Sequence, residues 1–322
     1  MTSPTLRLIA PSGYPHDREA MTRGIARLRS AGCVVEGVDV LDRVEHRFAG
    51  NDDARVADIN ALATAHTLPD IALSVRGGYG ATRLLEHIHY DAMRERLAGT
   101  NTLLVGHSDF TAIQMALYVK CGLITFGGPM LGPDFGAPEL NGLMWEHFWR
   151  AVGEPESAAS WNTPTQEELD VEGPLWGGNL AMLCSLLGTP YFPAIDDGIL
   201  FVEDVGEPPP FRIERLLYQL HLSGVLDRQK ALVLGHFTHC RPHTYDNGYD
   251  TGAAFEQIAR VARIPIIHGL PFGHEVDKFT LPFGAPARLE VSAGRASLTF
   301  RGHPVLAGAI SRPDPGTLPQ IP

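Results

Sequence analysis

The segment Leu103-Leu104-Val105-Gly106-His107-Ser108-Asp109-Phe110 runs from a short apolar stretch straight into a helical pattern. A strand that turns sharply into a helix exposes the residue at the turn and aims the helix N-terminus at it. Gly106 permits the sharp turn, and the small residues Thr111 and Ala112 let the helix pack closely behind it. Ser108 then stands where a nucleophile would, close to the G-x-S-x-G elbow, with Phe110 in place of the second glycine. The plainer reading is that Ser108 or Asp109 caps the helix, since both are favoured N-cap types.

Three further segments offer groups that could work with such a serine. Arg76-Gly77-Gly78-Tyr79-Gly80 ends an apolar run, and its glycines let backbone N–H groups converge on a phosphate or on an oxyanion. It matches neither G-x-G-x-x-G nor the P-loop, and a tight strand-to-helix turn explains it as simply. Glu203 and Asp204 end the apolar run 199–205, where a carboxylate needs a partner to offset its desolvation. Arg212 and Arg215, three residues apart on the next helical pattern, could supply an ion pair; alternatively Glu203 orients a histidine. His274, in Gly269-Leu270-Pro271-Phe272-Gly273-His274, is held by turn punctuation and suits a general base. The group His236, His239, Cys240 and His243 has ligand types that suit zinc. Its spacing matches no zinc template, and Pro242 makes it a loop, so no metal is expected.

These residues need a scaffold, and the composition provides for one. The 322 residues are 44% hydrophobic and 20% charged, as in globular proteins, and the length suggests two domains. With 34 glycines and 25 prolines, many turns are expected. The net charge of −11, without clustered Lys or Arg, argues against nucleic acid and against an anionic membrane surface as partners. Cys33, Cys121, Cys184 and Cys240 lie far apart with no C-x-x-C pair and read as reduced thiols. The N-terminal stretch lacks a basic and then apolar signal pattern, and no run approaches the length of a membrane span. A cytoplasmic location is the expectation.

The elements that must position the site follow from periodicity. Strand-like runs at 6–10, 34–38, 71–75, 103–105 and 123–126 alternate with helical patterns at 18–30, 54–65, 82–89 and 110–120. Such alternation predicts an open, mostly parallel sheet with helices on both faces, and Ser108 and the Arg76 loop at its carboxyl edge. This nucleophile-bearing domain is expected over 1–152. A polar stretch with three prolines, 153–174, reads as an interdomain linker. A smaller α/β domain over 175–310 carries Glu203 and His274. It is expected to hold helices at 180–187, 213–222 and 254–261, strands at 199–205, 231–234 and 265–268, and a closing hairpin at 287–291 and 296–300. The four prolines of 311–322 suggest a loose tail.

Taken in order, Arg-Gly-Gly-Tyr-Gly, Gly-His-Ser-Asp, Val-Glu-Asp-Val and Gly-His resemble the LD-carboxypeptidase (muramoyltetrapeptide carboxypeptidase) family. The opening Ile-Ala-Pro-Ser-Gly, Trp176-Gly177-Gly178-Asn179-Leu180 and Phe211-Arg212-Ile213-Glu214-Arg215 extend the likeness, which spans about residues 6–306. The resemblance implies a serine peptidase with a Ser-Glu-His triad and an N-terminal half like class I glutamine amidotransferases. It implies no cofactor, a homodimer, and a cytoplasmic role in peptidoglycan recycling, removing terminal D-alanine from murein tetrapeptides. Carried onto this sequence, Ser108 is the nucleophile, Glu203 the orienting acid and His274 the base, with the backbone amides of Gly78 and Asp109 as the oxyanion hole. Tyr79, Trp176 and Arg212 are expected to bound the substrate cleft. The alternatives are a microcin C immunity-like hydrolase of aminoacyl-adenylates and a two-domain small-molecule binder without chemistry.

Overall fold

The strands that end at the site are those the sequence makes apolar on both faces. In a computed structural model, which describes residues 3–206 and 209–307, β3 (Ile71–Ser74) and β4 (Leu103–Gly106) are buried at every position. Their sheet also contains β1 (Thr5–Ile9), β2 (Val34–Glu36) and β5 (Thr125–Gly127). The parallel order β2-β1-β3-β4-β5 is a doubly wound arrangement, in which ligand crevices form outside the carboxyl ends of the strands. Helices α1 (Arg18–Ser30), α2 (Asp52–Thr64), α3 (Tyr90–Leu97), α4 (Thr111–Cys121) and α5 (Gly142–Gly153) belong to this half. Their starts obey local chemistry: the side chains of Asp17 and Asn51 cap α1 and α2 by accepting from Ala20 and Ala54 N–H. α4 buries residues 111–117 and Cys121, as a helix apolar nearly all round must.

The second sheet is mixed. β7 (Leu169–Asn179), β8 (Gly198–Asp204), β9 (Gln229–Phe237) and β10 (Ile266–Ile267) form its parallel part. β6 (Glu156–Asn162), β12 (Pro286–Ser292) and β13 (Arg295–Arg301) form its antiparallel part. Strand β7 serves both: Leu169–Pro174 pairs antiparallel with β12, and Leu175–Asn179 pairs parallel with β8. Helices α6 (Leu180–Ser185), α7 (Pro210–Leu222) and α8 (Thr251–Ala262) complete this half.

Three expectations change here. The stretch 153–174 is not a connection but β6 and the first half of β7. Along β6 Ser157, Ala159 and Trp161 point inward, a period of two hidden from a hydropathy reading because two of the three are small. The C-terminal half is not the smaller one by sheet size, with seven strands against six. Nor do the halves part cleanly, since β11 (Leu281–Phe283) leaves the second half to pair antiparallel with β5 at the edge of the first sheet. One core runs across both halves, joining Phe110, Ile113 and Leu117 to Trp176, Leu180, Leu200 and Val202. The segment 311–322 lies outside the described residues.

Candidate active site

β4 delivers the serine through a sharp turn. After Gly106 and His107, Ser108 takes φ +61°, opens a single 3-10 turn over Ser108–Phe110, and hands the chain to α4. A non-glycine residue in the left-handed region is strained and is held there only by its surroundings. Those surroundings leave no room for alternatives. A Cβ on Gly106 would meet the Phe110 ring at 2.7 Å, and one on Gly77 would lie 2.9 Å from Ser108 Cβ and 3.0 Å from its Oγ. The chain at Gly77 therefore passes close against the hydroxyl.

The other two predicted catalytic residues reach the serine from the second sheet. His274 Nε2 lies 3.0 Å from Ser108 Oγ, and His274 Nδ1 lies 2.8 Å from Glu203 Oε2. A carboxylate only accepts, so Nδ1 carries the proton and Nε2 is free to take one from the hydroxyl. Glu203, at the end of β8, is fully buried. Its second oxygen accepts from Asn179 Nδ2 at 3.2 Å, and the same amide reaches Asp204 Oδ1 at 3.3 Å. Burial pushes the Asp204 carboxyl up to about 6, against the pull of its bonds from Val205 N–H and Asn179. The order Ser108, His274, Glu203 has the geometry of a triad able to carry two-step acyl transfer.

Asp109 ties three segments together. Its Oδ2 accepts from Ser12 Oγ at 2.6 Å and from Ala81 N–H at 2.8 Å, fastening the loop after β1 and the end of the glycine loop to the elbow. Burial pushes its carboxyl up, and those two bonds oppose the shift. Its side chain is thus structural, while its backbone N–H opens the turn beside Ser108.

A cavity of about 400 Å³ lies over the serine, lined by Arg76, Gly77, Gly78, Ser108, Met130 and His274, with His16 and the start of α1 on its far side. The Arg76 guanidinium donates to the Tyr14 carbonyl at 3.1 Å and to His16 Nδ1 at 2.6 Å. Among the described residues no carboxylate pairs with it.

The predicted cleft residues fare differently. Gly78, expected as an oxyanion donor, lines the cavity beside Ser108. Trp176 does not: it is fully buried, donates Nε1–H to Gln229 Oε1 at 2.8 Å and packs against Phe192. Its position on a central strand, covered on both faces, put it in the core. Tyr79 is exposed and lies against Phe48 and Arg47, outside the cavity lining. Arg212 is exposed on α7 and likewise absent from the lining; the buried Glu203 is satisfied by His274 and Asn179 instead. Among the described residues no group of three His, Cys, Asp or Glu side chains could hold a metal, and His243 caps a short turn with Asp246. Sequence reasoning placed Asn179 in the Trp-Gly-Gly-Asn-Leu motif but gave it no role of its own. It gave Arg76 no role of its own, because a guanidinium beside glycines reads first as a turn.

A doubly wound sheet with a strained serine at one strand end, faced by a His–Glu pair from a second sheet, defines a two-sheet α/β protein with a Ser-His-Glu site. The chain belongs to the LD-carboxypeptidase family: residues 6–128 match the family's N-terminal domain and residues 172–289 its C-terminal domain. A muramoyltetrapeptide carboxypeptidase from Oxalobacter formigenes has a similar structure, with a TM-score of 0.86 at 42% identity, over 94% of this chain and 100% of that one. The murein tetrapeptide carboxypeptidase of Pseudomonas aeruginosa is 32% identical over 275 residues, covering 80% of this chain and 85% of that protein. The microcin C7 self-immunity protein of Escherichia coli is more distant, at 27% over 312 residues, covering 86% and 87%.

Proposed function

We propose that the protein is a serine carboxypeptidase that removes terminal D-alanine from murein tetrapeptides at an L,D-amide bond. Ser108 attacks the amide carbonyl carbon while His274 Nε2 takes the hydroxyl proton, and Glu203 holds the imidazole tautomer and stabilises the imidazolium. The backbone N–H groups of Gly78 and Asp109 receive the oxyanion. As the C–N bond breaks, His274 gives its proton to the leaving amine and D-alanine departs. Water then attacks the acyl-enzyme, losing a proton to His274, and Ser108 recovers its hydrogen as the peptide acid leaves.

The observation that carries the carboxypeptidase reading is Arg76. A guanidinium without a carboxylate partner, in the same cavity as Ser108 and His274, suits a substrate whose scissile bond lies one residue from a free carboxylate. Arg76 stands as the cation of the cleft, where the sequence reading had expected Arg212. The relatives named for murein tetrapeptides support the same substrate class.

The test is mass spectrometry of products from L-Ala-D-Glu-meso-diaminopimelate-D-Ala, the same peptide ending in L-Ala, and an aminoacyl-sulfamoyl adenosine. Release of D-alanine from the first, with little cleavage of the second, is expected. Rapid cleavage of the adenosine compound without D-alanine release would replace the carboxypeptidase reading by an immunity-type one.

A further inference from the structure

Behind the base lies a second set of buried polar groups that the acyl-transfer steps leave unused. His107, the neighbour of Ser108, is only 2% exposed, and its ring stands edge-on to that of His274 with centroids 5.1 Å apart. His107 Nδ1 lies 2.9 Å from the Gly128 carbonyl, which can only accept, so Nδ1 carries the proton. Nε2 is left as an acceptor and takes a bond from Lys278 Nζ at 3.2 Å. Lys278, 1% exposed, also donates to Asp134 Oδ1, and Asp134 Oδ2 accepts from Met130 N–H at 2.7 Å. A proton on His107 Nε2 would therefore point straight at an ammonium.

We propose that the buried Asp134–Lys278–His107 chain keeps His107 uncharged, so that no second imidazolium forms beside His274 when His274 takes the serine proton. His107 is in this sense a positioning residue: a fixed, neutral ring against which the working imidazole rests. The inference rests on the triad roles proposed above. The titratable groups facing His107 are Lys278 with Asp134 behind it, and His274 with Glu203 behind it. Burial first, then the neighbouring ammonium and His274, hold the His107 imidazole well below its ordinary pKa. Lysine and aspartate cancel each other's charge, so the chain places no net charge against the site. Remove the lysine alone, and the stranded Asp134 carboxylate gains by drawing a proton onto His107.

The test reads protonation and reactivity separately. In ¹⁵N-histidine NMR, with the His107 signal assigned by its loss in His107→Phe, wild-type His107 should stay neutral with Nδ1 protonated from pH 8 down to pH 5. In Lys278→Met it should become doubly protonated as the pH falls through neutrality. The rate at which a fluorophosphonate labels Ser108 needs no knowledge of the substrate. In Lys278→Met it should drop on the order of 100–300-fold at pH 6, as two like charges about 5 Å apart at an effective dielectric near 20 would cause, and recover toward pH 9. Asp134→Asn/Lys278→Met, which removes the reason to protonate His107, should regain most of the loss at pH 6. A wild-type His107 that titrates near its ordinary pH overturns the inference without any variant. A Lys278→Met enzyme equally slow at every pH, or one not rescued by the second substitution, overturns it as well. Failure of wild-type Ser108 to label would instead sink the triad roles, while the NMR result still reports the state of His107.

Discussion

At the scale of single residues, the site is one strained serine and the groups that force it into place. Ser108→Ala, Glu203→Ala and His274→Ala should each leave the circular dichroism spectrum intact and lower turnover by about three to six orders of magnitude. Near-normal turnover in folded Ser108→Ala would remove the mechanism. The backbone angle of Ser108 adds a stability corollary. At φ +61° an alanine keeps the steric penalty and a glycine relieves it, so Ser108→Gly should be more stable than Ser108→Ala by about 1 kcal/mol. Equal denaturation midpoints would show the turn to be unstrained. Arg76→Ala should raise KM for a peptide with a free terminal carboxylate at least tenfold, and change little for the same peptide as its amide. Asp204 sets a pH dependence of stability. The folded protein keeps its proton up to about pH 6, whereas the unfolded chain releases it near 3.8. Between those values the folded state binds more protons, so stability falls as pH rises through the window and stays lower above it. Asp204→Asn removes that loss. Its melting temperature should match wild type near pH 4 and exceed it by a few degrees at pH 7; a gap constant with pH would contradict the assignment.

At the scale of elements, what the sequence made legible was periodic, and what it hid was not. The helices at α1 and α4 and the hairpin of β12 and β13 sit within a residue or so of their expected bounds, because α1 and the two strands each have one apolar face, α4 is a sustained apolar run, and all have clear ends. Ser108 and Glu203 were legible because each follows an apolar run, where a polar residue has no packing reason to be, and His274 because glycine and proline turn punctuation holds it. β6 escaped because serine and alanine do its inward pointing. The three-residue β11 escaped because it is too short to show a period and finds its partner only in three dimensions. Trp176 was misplaced for the opposite reason: an aromatic next to glycines reads as a wall of a cleft, but its strand is covered on both faces. The glycine loop joins the two scales. Gly77→Ala would place a Cβ 2.9 Å from the Ser108 Cβ and 3.0 Å from its Oγ, so it should abolish fluorophosphonate labelling and lower the melting temperature, since the loop or the elbow must shift to relieve the clash.

At the scale of the whole molecule, Ser108 comes from one sheet and its proposed partners Glu203 and His274 from the other half, yet a shared core and β11 bind the sheets together. Residues 1–152 expressed alone should lack a cooperative unfolding transition, because they lose an edge strand and half of the core around α4; a sharp two-state melt would show the first sheet to be autonomous. The same strand bears on how such proteins can be recombined. A chimera that takes everything after residue 152 from a relative brings in a foreign β11 against the native edge of β5, and the loop bearing His274 runs from β10 into that strand. Crossovers that respect the boundary in sequence thus cut through a seam in space, and functional hybrids should be those in which β5 and β11 are inherited from the same parent.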